Sequence, residues 1–163
     1  MLDTPQIIRT ASQLTAVIHL TVPWAKMREV MGPGLAELRS AVAAQGVETT
    51  GPWFNHHLRR PTDSFDFEIS LPVAGRIAPV GRVKPSELRA ASVVRTVYHG
   101  PYDGLGKAWG EFEAWILRNG HQTATDFWEC SAGCNIPGRR GSRCAWAWCL
   151  LTHTAISIRP RLL

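Results

Sequence analysis

The segment "WGEFEAWILRNG" (Trp109–Gly120) decides how this chain is read, because it has a twin. Shifted by 74 positions, "LAELRSAVAAQG" (Leu35–Gly46) falls upon it: Leu35 meets Trp109, Leu38 meets Phe112, Val42 meets Ile116 and Gly46 meets Gly120. Apolar residues recur at three- and four-residue steps in both, which is the period of one helix face. A glycine closes each, as expected where a helix stops on a left-handed C′ residue.

The flanks repeat as well. "AVIHLTV" (Ala16–Val22) and "ASVVRTV" (Ala91–Val97) precede the two helices and are rich in β-branched residues, so both read as strands. After the helices, "GPWFNHHL" (Gly51–Leu58) and "TDFWECSA" (Thr125–Ala132) read as strands too. A further strand, "SFDFEISLPV" (Ser64–Val73), sets Phe65, Phe67, Ile69 and Leu71 on one face and Asp66, Glu68 and Ser70 on the other. The "RRPTD" between them is a turn by composition. The first half is thus β-α-β-β, and the second begins the same way. The expected fold class is α+β: duplicated βαββ units forming a curved antiparallel sheet with two main helices. Ala74–Leu88 is the connector, and part of it can pair as an edge strand. Two similar units leave a seam between them, which is either a ligand groove or simply filled.

Bulk properties narrow the function. With 163 residues, 45% hydrophobic and 19% charged, the chain suits one folded domain with a true core. No apolar run approaches the roughly 20 residues that span a bilayer, and the N-terminus lacks a secretory signal pattern. A cytoplasmic protein without a membrane partner is expected. The net charge of +5 resides in the C-terminal tail: from Ser131 onward there are five arginines, no lysine and no acid. The remaining thirteen basic side chains balance thirteen acids, so the body carries no basic excess for nucleic acid. Cys130, Cys134, Cys144 and Cys149 are separated by three, nine and four residues, without the two-residue pairs of common zinc sites. No P-loop, dinucleotide fingerprint or Ser-His-Asp spacing occurs. Neither a metal nor a cofactor is expected.

The runs "PWAKMREVMGPGLAELRSAVAAQG", "GPWFNHHL", "DFEISLPV", "VYHGPYDGLGKAW" and "DFWEC" together resemble the GyrI-like small-molecule-binding domain, also called the bacterial transcription-activator effector-binding domain. The similarity covers about Val22 to Cys130, in order. It implies a duplicated βαββ fold with a pocket for hydrophobic, often cationic, small molecules. In multidrug-responsive regulators the domain is fused to a DNA-binding helix-turn-helix. The few residues before the first strand are too short for that module, so a stand-alone member is expected. Such relatives include ligand-sequestering proteins, a gyrase inhibitor, and hydrolases of cyclopropane-bearing compounds. Binding is the leading reading. A hydrolase using Glu129 as general base and a protein-binding inhibitor are the alternatives.

The resemblance carries the family's pocket acid to Glu129, since its "W-E-x-Y"-like strand corresponds to "DFWEC". A carboxylate among rings is costly to desolvate and is relieved by an arriving cation, which aromatic faces also attract. The alternative is a solvent-facing strand acid. Tyr98 matches a family aromatic and either offers ring and hydroxyl to a ligand or fills the core. Trp24 is its repeat mate and is expected on the opposite wall. Trp109, Phe112 and Ile116 form one stripe, most simply core, with Trp115 to its side; one or two of these rings at most are expected to touch ligand. Glu68 is either a second pocket carboxylate or an exposed strand acid. His56 and His57 point to opposite faces and receive no role.

The resemblance ends at Cys130. Residues 1–130 read as the effector-binding domain and 131–163 as a divergent basic tail, "SAGCNIPGRRGSRCAWAWCLLTHTAISIRPRLL", with the composition switch of a reading-frame change or a genuinely divergent end. The last strand of the second unit is then missing or replaced, and "AWAWCLLTHTAISI" is a possible substitute.

Overall fold

A computed structural model describes residues 1–100 and 104–130 in full and the backbone of 145–152. Residues 101–103, 131–144 and 153–163, with Tyr102, Cys134 and Cys144 among them, lie outside the described residues. The elements run β1 (Gln6–Thr10), β2 (Gln13–Pro23), a 3-10 turn (Trp24–Lys26), α1 (Met27–Ala44), β3 (Phe54–His57), β4 (Ser64–Pro72), β5 (Lys84–Leu88), β6 (Ala91–His99), α2 (Leu105–Arg118), β7 (Thr123–Cys130) and β8 (Ala145–Thr152). The two βαββ units are β2-α1-β3-β4 and β6-α2-β7-β8.

Among the described residues, eight strands form one sheet in the order β1-β6-β8-β7-β3-β4-β2-β5, and every pairing is antiparallel. The order reads the same for each unit outward from the β3–β7 pair, so the seam between the units is that pair. β8 is drawn from the segment beyond Cys130 and fills the last-strand position between β6 and β7. β5 comes from the connector and pairs with β2 at the sheet edge. It stands at one end of the strand order while β6 stands near the other, yet only Arg89 and Ala90 join them. The three residue steps from Leu88 to Ala91 span at most about 11 Å even when extended, so the sheet is curled until its ends approach.

Both helices pack on the same face. Leu38 and Val42 of α1 bury against Ile18, Phe67, Ile69 and Leu71. Phe112 and Ile116 of α2 bury against Val94, Tyr98 and Phe127. The repeat-matched positions therefore do the same packing work in each unit. Each helix ends before a glycine of positive φ, Gly46 at 66° and Gly120 at 73°, the conformation that glycine adopts without steric cost. On the opposite face the curl buries a smaller cluster of Phe54, Val93 and Trp128, backed by Leu88 and Ala91 at the closing link. Among the described residues no helix is long and apolar enough to cross a membrane.

Candidate functional site

The seam places four residues side by side under the helices. In the β3–β7 register Asn55 lies opposite Glu129 and His57 opposite Phe127. Alternation sends all four to the helix-covered face. His57 is 2% exposed and Asn55 4%. The Glu129 side chain retains 13% exposure, and its Oε2 lies 3.4 Å from His57 Nε2. That distance permits charge attraction, but the geometry falls short of a hydrogen bond. Asn55 Oδ1 and both ring nitrogens of His57 are buried with no hydrogen-bond partner among the described residues.

Rings extend from this point into both units. His57 lies flat on Phe127, with centroids 4.4 Å apart and planes at 11°. It tilts against Phe67 at 5.7 Å and Phe65 at 5.8 Å. Phe65 stacks on Trp24 at 5.2 Å, while Trp109 meets Phe127 edge-on at 4.9 Å. A ladder Trp24–Phe65–His57–Phe127–Trp109 thus crosses the seam, with Glu129 at its midpoint. Near that midpoint the guanidinium of Arg60 stands 5.8 Å from the Phe127 centroid. Arg60 is also ion-paired with Glu113 of α2.

The other sequence-derived candidates distribute as follows. Trp24 is 59% exposed and forms the outer rung of the ladder. Trp109 is half-buried and forms the inner one. Tyr98 is 5% exposed and belongs to the α2 core. Its hydroxyl fills the elbow before α2: a Cβ built on Gly100 would lie 2.5 Å from it, and one on Gly104 would also collide with it. Trp115 packs at the margin of the same core and tilts over His121 at 6.3 Å, away from the ladder. Glu68 is separated from Glu129 by the sheet itself, because its partner in register is His56 on the opposite face.

That opposite face carries a second constellation. His56 Nδ1 is 3.4 Å from Glu68 Oε2, and its Nε2 is 3.1 Å from Asp126 Oδ2. The ring stacks on Trp128 at 5.3 Å. Burial alone would disfavour the charged imidazole, but hydrogen bonds to Glu68 and Asp126 outweigh it and raise the His56 pKa above its ordinary value. Beside it, Asp66 accepts from His19 at 2.6 Å and from Arg59 at 3.1 Å. The His19 hydrogen bond, against a smaller effect of burial and with help from Arg59, holds Asp66 below the usual carboxylate range. Among the described residues no group of three or more His, Cys, Asp or Glu is arranged to hold a metal ion.

Asn55, His57, Phe127, Asp126 and Arg60 had no role in the sequence reading. The doublet at 56–57 was its one pointer, because adjacent strand residues must face opposite ways.

No family model and no curated protein matches the sequence. Solved structures match the fold. The EcmrR C-terminal domain aligns with a TM-score of 0.76 at 15% identity, over 91% of this chain and 96% of that one. The chain has the GyrI-like fold. SAV2435 bound to tetraphenylphosphonium aligns at TM-score 0.59 and 12% identity, over 93% of this chain and 95% of that one. A hydrolase from Listeria innocua gives 0.59 and 11%, over 91% of each chain. Against the longer EcmrR chain of the EcmrR–DNA complex, this chain spans 57% of the length.

Proposed function

We propose that this GyrI-like chain binds a lipophilic organic cation at the β3–β7 seam, with Glu129 as counter-charge and the ring ladder as wall. One observation carries the reading: a mostly buried carboxylate lies at the midpoint of an aromatic ladder, its nearest basic group among the described residues being His57, which does not form a hydrogen bond to it. Such a carboxylate gains from a cation that arrives with its own apolar surface. The neighbour solved with tetraphenylphosphonium supports the same ligand class.

Thermal shift tests this. Titration with tetraphenylphosphonium and with a protonated aryl amine should raise Tm for at least one of them, with about 2.7 kcal/mol of stabilisation at a hundredfold excess over Kd. Glu129→Gln should lose most of the shift. Absence of a shift with either compound would sink the reading. A second reading rests on the 3.4 Å His57–Glu129 approach, which could serve as an acid–base pair for hydrolysis. Recovery of intact ligand after long incubation separates binding from turnover.

A further inference from the structure

We infer that the seam discriminates among cations by their N–H donors, and that it takes a protonated aryl amine or amidine in preference to a quaternary ammonium or phosphonium of like size. This rests on the cation-binding reading above and adds a chemical class to it.

The seam holds buried polar groups that lack hydrogen-bond partners among the described residues. Buried polar atoms are hydrogen-bonded in the great majority of cases, and an exception calls for a cause. Here three such atoms cluster on one face of one strand: Asn55 Oδ1 and the two ring nitrogens of His57. Both residues are more than nine-tenths buried. They adjoin Glu129, the first by direct register and the second at 3.4 Å. Residues directly opposite on an antiparallel pair have Cβ atoms about 5 Å apart, so the amide oxygen of Asn55 and the Glu129 carboxylate can reach one small head group together. Two oxygens converging from adjacent strands form an acceptor set. A quaternary centre satisfies the charge of Glu129 but presents only C–H to Asn55. An ammonium or amidinium satisfies both at once, and its remaining N–H can meet whichever His57 nitrogen is the acceptor. Hydrogen bonds with one charged partner are the stronger kind, and a site built for such donors rejects the analogue lacking them because its own groups stay unpaired.

The test holds charge and ring constant and changes only the donors. The probes are 1-naphthylmethylammonium and its mono-, di- and trimethylated forms, with Kd measured by calorimetry on the full chain. The wild type should bind the primary ammonium at least tenfold more tightly than the trimethylated form, with the steepest loss where the last N–H disappears. Asn55→Leu should narrow the ratio below about threefold by weakening the primary ammonium alone. A purely steric penalty on the methyl groups would leave the ratio unchanged in that variant and would overturn the assignment. Equal binding of all four by the wild type would also overturn it, as expected if a structural water already serves Asn55 and His57, while leaving the cation reading intact. Failure of all four to bind overturns both. Should Asn55→Leu fail to fold, Asn55→Ala supplies the same comparison, because it too removes the amide oxygen.

Discussion

His56 and His57 are consecutive residues of β3, yet the sheet places them in different surroundings. His56 faces away from the helices and meets a carboxylate at each ring nitrogen, Glu68 from its own unit and Asp126 from the other. His57 faces the helices, lies on Phe127 and leaves both nitrogens without a hydrogen bond among the described residues. One imidazole ties the two repeats together and the other keeps open polar capacity at their junction. A satisfied polar cluster stabilises a fold, whereas an unsatisfied buried one destabilises it and calls for a cause. On the reading proposed above, the contrast sets a structural site and a ligand site on opposite faces of the same two strands.

Substituting each histidine by phenylalanine should give the largest difference between the two faces. His56→Phe leaves Glu68 and Asp126 facing an apolar ring, and should cost about 1–3 kcal/mol in urea unfolding. His57→Phe removes two unsatisfied nitrogens from an aromatic surrounding of nearly the right shape. It should leave stability unchanged or raise it by about 1 kcal/mol, while weakening the binding of an aryl ammonium. Opposite signs for two neighbours of the same type would be hard to obtain unless the faces differ as described. Equal losses would mean that His57 is as well satisfied as His56.

Much of the scaffold was legible because it is written in local periods. The 74-residue echo, the closing glycines and the alternation of Phe65, Phe67, Ile69 and Leu71 each reflect one helix face or one strand face. What failed locally was overridden by tertiary packing. α1 begins at Met27, two turns before the periodic stretch, and continues through Pro33, a residue that by propensity ends helices. β1 is five residues long and pairs with β6 across more than eighty positions, so nothing near it in sequence announces it. The site was least legible. The register that sets Asn55 against Glu129 joins the two repeats over the long range, and no pattern within either repeat contains it.

On the His56 side, stability should depend on pH. The folded His56 pKa is raised by Glu68 and Asp126 against the effect of burial. A raised base contributes stability that is fully present below its unfolded pKa, about 6.5, and is lost as pH rises through the folded value. The stability gap between wild type and His56→Phe should thus be widest in mildly acid solution and should shrink on the alkaline side of neutrality. Urea midpoints at several pH values between 5.5 and 8.5 would show it. A gap that widens with rising pH would reverse the assignment of His56 as the cation between two carboxylates.

Arg60 offers the smallest effect and the finest probe of the seam. Its pairing with Glu113 is at the surface, with side chains 39% and 42% exposed, and exposed pairs contribute about 0–1 kcal/mol. Arg60→Gln should therefore change stability little. Its guanidinium, however, stands over the Phe127 ring on which His57 lies. On the proposed reading, a cation bound beside Glu129 meets that resident positive charge close to the Phe127 ring. Removing the charge should tighten aryl-ammonium binding by a few fold, with a larger gain at low salt because screening hides the repulsion otherwise. The neutral variant isolates charge from bulk, since glutamine keeps part of the side chain over Thr123 and α2. An unchanged Kd at low salt would show that Arg60 turns its charge wholly toward Glu113, and would leave the seam with Glu129 as the charge that sets its affinity.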